Sequence, residues 1–128
     1  MIELILSRHG ETLENQQHIL QGQLPGTLSP LGKAQAENLA EDLKDEQLDA
    51  VVCSDLARSY DTALAVAKRH GLTPLQTPLL REMDWGVYTG KQLDDVDWLH
   101  LPPSVESVEA LFQRAIDFIH YLQENFPN

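Results

Sequence analysis

The sequence predicts an α/β domain built on a mainly parallel sheet. Two observations carry this. Short apolar runs alternate with longer segments of helical period, in the order strand, helix, strand, helix, strand, helix. The helical segments open on capping residues and close at glycine or proline. A chain of 128 residues suits one domain, and a 42% hydrophobic content is enough for a packed core.

Residues 1–6 form an apolar run that reads as a short buried strand. Residues 12–26 are polar, are broken by Gly22, Pro25 and Gly26, and read as a loop over the strand tip. Ser29 and Pro30 open a helix as N-cap and first helical residue. Leu31, Ala36, Leu39, Ala40 and Leu43 give it an inward face, and the spacing carries it to about Glu46. Residues 48–53 are the second strand candidate, followed by Ser54 and Asp55 as a helix cap. A second helix covers about residues 56–70, with Ala57, Tyr60, Ala63, Leu64 and Ala67 inward, and Gly71 stops it. A third strand is predicted near residues 75–77, then loop over 79–90 and a short irregular helix over 91–98. A final helix over about 105–125 places Val108, Leu111, Phe112, Ala115, Ile116, Ile119 and Leu122 on one face. No repeat, linker or internal domain boundary is visible.

Composition excludes several classes. The net charge of -11 opposes non-specific nucleic-acid binding, which needs clustered Lys and Arg. No run is long enough to span a membrane, and the N-terminus lacks a signal-peptide pattern. The lone Cys53 rules out an internal disulfide and fits the cytoplasm. An anion site here requires a local positive pocket inside an acidic envelope.

Three strand ends supply such a pocket. Arg8 and His9 follow the first strand, Ser54 to Arg58 the second, and Leu80 to Met83 the third. All fall at the carboxyl edge of a parallel sheet, where ligands bind in open α/β folds. Arginine offers a planar donor fork to phosphate oxygens, and histidine can serve as base or nucleophile. Arg58 sits in the first turn of its helix, where a cation conflicts with the helix dipole unless an anion is bound. The plainer alternatives are an Arg58 pair with Asp55 or Asp61, a Glu82 pair with Arg81, and Asn15 as a turn cap.

These residues carry a family resemblance. Arg8-His9-Gly10-Glu11-Thr12 with Asn15, Gln21-Gly22, Leu28-Ser29-Pro30-Leu31-Gly32 with Gln35-Ala36, Ser54-Asp55-Leu56-Ala57-Arg58 with Thr62-Ala63, Leu80-Arg81-Glu82 with Gly86 and Gly90, and Glu106-Ser107 with Arg114 stand in one order. Together they resemble the histidine phosphatase superfamily, also called phosphoglycerate-mutase-like, over nearly the whole chain. The resemblance implies a three-layer α/β/α fold and a phosphohistidine formed on His9. It implies that Arg8 and Arg58 bind the phosphoryl oxygens, and that Glu82 protonates the leaving oxygen and then activates water. Asn15, Gln21 and Gly22 are implied beside the substrate, a small phosphorylated metabolite. No metal or other cofactor is implied. His18, His70, His100 and His120 are scattered and read as surface or packing residues.

The sequence also departs from the family pattern. Pro25 and Thr27 stand where the family often has Asp and Pro, a change that bears on substrate preference. The family carries a second catalytic histidine, in a Ser-His-Gly stretch on a strand after the long helix. This sequence reaches Asn128 just after that helix, and His120 lies inside the helix pattern. The expectation is a single domain over residues 1–128 that lacks this strand. In the family that strand lies between those resembling the first two here. The sheet is therefore expected to open a gap or close up, and the expectation is either a truncated form of a longer protein or a chain that associates or exchanges a strand with a second copy. The resemblance favours a phosphatase, because only about two dozen residues separate Glu82 from Glu106 where mutases carry a longer insertion. The alternatives are mutase-type phosphoryl transfer, and a catalytically dead phosphate-binding or assembly module.

Overall fold

The structure is a computed structural model and describes residues 1–127. Its elements are helix α1 (Leu13–Gln16), helix α2 (Pro30–Asp42), strand β1 (Val52–Cys53), helix α3 (Ala57–Lys68), strand β2 (Leu75–Gln76) and helix α4 (Val108–Asn125), with single 3-10 turns at Pro78–Leu80, Gly86–Tyr88 and Leu93–Asp95. β1 and β2 pair in parallel, Val52 opposite Leu75 and Cys53 opposite Gln76. The connection between them is α3, as a parallel pair requires.

Helix α2 starts where its cap chemistry dictates. The Ser29 hydroxyl accepts from Gly32 N at 3.0 Å, and Pro30 occupies the first position. The helix stops at Asp42, a turn short of Glu46. Ala36 and Ala40 of α2 are buried, as are Ala63 and Ala67 of α3, so small residues let the two helices approach closely. Leu31 is exposed rather than inward.

Three expectations need correction. Residues 1–6 do not form a strand, and Leu6 is 81% exposed. The apolar pattern is that of a strand, but a strand exists only in a ladder. Among the described residues no backbone–backbone hydrogen bond reaches this segment. The observed sheet therefore has two strands, not three. Second, α3 begins at Ala57 with Leu56 as its cap residue; Ser54 instead accepts from Leu56 N at 3.3 Å. Third, α4 begins at Val108, capped by Ser107, and its phase is rotated from the apolar pattern. Phe118 and Leu122 are buried, whereas Val108, Phe112 and Ile119 are exposed. Arg114 lies on the inward side with Phe118 and Leu122, bonded to Glu106 and to two backbone carbonyls.

The stretch taken as loop over 12–26 holds α1, closed by a reciprocal cap. Thr12 accepts from Asn15 N, and the Asn15 side chain accepts from Thr12 N, each at 3.0 Å. Residues 91–98 contribute a single 3-10 turn rather than a helix. No helix among the described residues is long and apolar enough to cross a membrane.

Candidate active site

The loop at Arg8-His9-Gly10 is fixed from two sides. Gly10 N donates to the Thr62 hydroxyl at 3.0 Å, and that hydroxyl donates to the Arg58 carbonyl at 2.8 Å, which ties the loop to α3. On the other side α2 presses against it. A Cβ on Gly32 would lie 1.9 Å from the Glu11 carbonyl oxygen, and one on Gly10 would lie 2.4 Å from the Gly32 carbonyl oxygen. Glycine at both positions is what allows this approach. Ser29 adds two bonds to Glu11, from its backbone N at 2.9 Å and from its hydroxyl to the carboxylate at 2.8 Å.

His9 is held at both ring nitrogens. Nδ1 lies 2.7 Å from the Gly10 carbonyl oxygen, and Nε2 lies 2.9 Å from Glu82 Oε1. A carbonyl oxygen only accepts, so Nδ1 carries a proton. The Nε2–Oε1 contact then holds one further proton, on one partner or the other. Glu82 Oε2 lies 3.6 Å from Arg58 Nη2. The carboxyl of Glu82 is held below its ordinary range, first by the His9 hydrogen bond and further by the charges of Arg58, His9 and Arg8, against the opposing effect of burial.

Arg58 is 1% exposed. Its Nη2 donates to the Gly22 carbonyl at 2.6 Å and its Nη1 donates to the Leu24 carbonyl. Neither Asp55 nor Asp61 holds it. Asp55 is instead gripped by Arg81, from Nε at 2.7 Å and Nη2 at 2.6 Å. Glu82 in turn pairs with His9 and Arg58 rather than with Arg81. Arg8 is exposed beside His9.

A cavity of about 230 Å³ opens between Arg8, His9, Arg58 and Glu82, with the Ser54 and Ser59 side chains on its wall. A second, of about 420 Å³, lies along the other side of Arg8 and His9 and reaches Asn15, Gln35 and Thr62. Arg8, His9, Arg58 and Glu82 are thus brought together from three separate stretches of the chain. Asn15 reaches only the larger cavity, and its side chain caps α1. Gln21 and Gly22 line neither cavity. Gln21 is buried with its Oε1 unpartnered beside Gly26, and Gly22 meets the site through its carbonyl on Arg58. Ser54 and Ser59 were not singled out as site residues in the sequence. Ser54 belongs to the motif that carries Arg58 and reads as a helix cap, and Ser59 follows Arg58 with no motif of its own. His18, His70, His100 and His120 line neither cavity.

A strand–helix–strand unit thus places a histidine, a carboxylate and two arginines around one small cavity, which gathers donors for anionic oxygens beside a group that can carry a proton. The sequence profile of the histidine phosphatase superfamily (branch 1) matches residues 4–128, and the chain belongs to that family. It is 32% identical to phosphoserine phosphatase 1 of Hydrogenobacter thermophilus, over all of this chain and 67% of that protein. It is 35% identical to a probable phosphoglycerate mutase, GpmB, of Yersinia pestis, over 75% of this chain and 45% of that protein. Among solved structures, a mycobacterial glucosyl-3-phosphoglycerate phosphatase in complex with VO3 superposes with a TM-score of 0.84 at 32% identity, covering 93% of this chain and 63% of that one. The α-ribazole phosphatase of Shigella flexneri gives 0.81 at 33% identity, covering 91% and 64%. The fold is therefore the α/β fold of this family of enzymes, and the chain spans between about half and two thirds of the length of these relatives.

Proposed function

We propose that the protein is a phosphomonoester hydrolase that acts through a phosphohistidine on His9 Nε2, with a small phosphorylated metabolite as substrate. The observation that carries this reading is the 2.9 Å contact between His9 Nε2 and Glu82 Oε1 at the mouth of a cavity walled by Arg8 and Arg58. Nδ1 is committed to the Gly10 carbonyl, so Nε2 is the nitrogen free to attack. Moving the shared proton from Nε2 to Oε1 produces a nucleophile and an acid in one step, with no change of net charge.

The first half-reaction forms a bond from Nε2 to phosphorus and breaks the bond from phosphorus to the leaving oxygen. The Glu82 proton goes to that oxygen. In the second, the Glu82 carboxylate takes a proton from water, the water oxygen bonds to phosphorus, and the Nε2–P bond breaks to release inorganic phosphate. Arg8 and the Arg58 edge that faces Glu82 stabilise charge on the equatorial oxygens. Mutase-type transfer shares the first half-reaction and differs in the acceptor. The Glu82 side chain is 55% exposed, which supports water as that acceptor. Names of the relatives, three phosphatases and a probable mutase, support a small phosphate ester.

Vanadate or phosphate binding tests the pocket itself. Either anion at about 100 times its Kd should stabilise the fold by about 2.7 kcal/mol. Arg58→Met should abolish that protection. Absence of any protection in the native chain up to tens of millimolar anion contradicts the reading.

A further inference from the structure

We propose that Arg114 and Glu106 are positioning residues that aim Glu82 at His9. The proposal rests on the reading of Glu82 as the acid and base of the reaction. Arg114 lines neither cavity, yet its guanidinium bonds to both carbonyls that flank the Glu82 nitrogen and side chain. Nη1 donates to the Arg81 carbonyl at 2.5 Å, and Nη2 donates to the Glu82 carbonyl at 3.2 Å. The fork is itself held by Glu106, from Nε to Oε2 at 3.0 Å and from Nη2 to Oε1 at 2.7 Å. Glu106 then grips the same segment further along. Its Oε1 accepts from Asp84 N at 3.1 Å, and its backbone N donates to the Asp84 carbonyl at 2.8 Å.

The backbone from Arg81 to Asp84 is thus pinned at three polar atoms by the side chains of one ion pair, and at a fourth by the backbone N of Glu106. The pair joins the first two turns of α4 to the residues just before it. Ion pairing that served only to anchor α4 could be made to any point on the body of the protein. Here two of the three donors not used on Glu106 go to the peptide groups on either side of one carboxylate. Both side chains are largely buried, at 19% and 14% exposure, so the bonds are shielded from water. The planar fork matters, because a lysine cannot serve two carbonyls and a carboxylate from one fixed plane. The Glu82 side chain is half-exposed, so its aim at His9 depends on where its backbone is held.

Arg114→Lys is the test variant, with Glu106→Gln as a milder second case that keeps size and one acceptor. Two readouts are used on the full chain. The first is the carboxyl titration of Glu82 by carbon-13 NMR, which needs no turnover. Arg114→Lys should move it up towards the ordinary glutamate range, because Glu82 leaves His9 and Arg58. The second is hydrolysis of phosphate esters with good and poor leaving groups. Arg114→Lys should cut kcat on an alkyl phosphate by about 10²-fold, the usual cost of a misplacement of about 1 Å. It should cost far less on dinitrophenyl phosphate, should leave KM within about threefold, and should add nothing to Glu82→Gln. An unmoved Glu82 titration, or equal losses on both esters, overturns the proposal. A moved titration together with a Glu82→Gln variant that hydrolyses both esters normally upholds the clamp and refutes the role given to Glu82.

Discussion

Glu82 Oε1 and His9 Nε2 lie 2.9 Å apart although 73 residues separate them in the chain. Neither residue reaches the other through a regular element. His9 is fixed through its loop on α2 and α3, and Glu82 leaves β2 through a 3-10 turn and is held from α4. The site therefore depends on the packed pair α2 and α3 and on α4, which packs against the 3-10 turn Pro78–Leu80, agreeing on one distance.

The first prediction concerns Glu82→Gln. The amide keeps the shape of the carboxyl and loses its ability to give up a proton. Turnover of an alkyl phosphate should fall by about 10²-fold or more. The loss should shrink with dinitrophenyl phosphate, whose leaving oxygen needs no proton. Steady-state kcat across a series of leaving groups measures this, and a uniform loss across the series contradicts the acid role.

Stability should fall in acid for a nameable set of carboxylates. Arg81 lowers Asp55, Arg114 lowers Glu106, and His9 with Arg58 and Arg8 lowers Glu82. A carboxyl held lower in the folded state adds stability that is present above its unfolded value. That stability disappears as pH drops through the folded value. Urea midpoints should therefore hold near neutrality and decline once pH passes below about 4.5, the ordinary glutamate value. Glu106→Gln should lower the neutral midpoint and flatten the acid decline. A decline as steep as in the native chain removes the Glu106 pair from the account.

Gly32→Ala tests how the His9 loop is seated. Alanine at a helical site normally stabilises by about 1 kcal/mol relative to glycine. Here the new methyl would meet the Glu11 carbonyl at 1.9 Å. The variant should lose about 1–3 kcal/mol, as overpacked sites do. It should lose anion binding with it, because Glu11 sits two residues from His9. Chemical denaturation and vanadate titration on one sample check both, and a more stable variant with intact binding contradicts the packing described.

Much of this was legible in the sequence for local reasons. Ser29-Pro30 specifies a helix start by hydrogen bonding and a fixed φ, and the helix begins there. Arg58 and Glu82 converge because each trails a strand of one α/β unit, whereas Arg8 and His9 follow no strand and are seated by the bonds of Gly10 to Thr62 and of Glu11 to Ser29. What was not legible depends on partners distant in sequence. Residues 1–6 have the composition of a strand, but no ladder partner among the described residues. The apolar stripe of α4 suggests one inward face, whereas the face that carries Arg114, Phe118 and Leu122 is the one turned in. The burial of Gln21 follows from loop closure onto Arg58 that no periodicity encodes.

The most direct measurement is acid-free mapping of the phosphoenzyme. The protein is mixed with a dinitrophenyl phosphate, quenched in alkali and digested, and the phosphorylated peptide is located by mass spectrometry. The account predicts acid-labile, alkali-stable phosphate on His9, attached at Nε2, and none in His9→Ala. Phosphate on any other side chain, or undiminished labelling of His9→Ala, contradicts it.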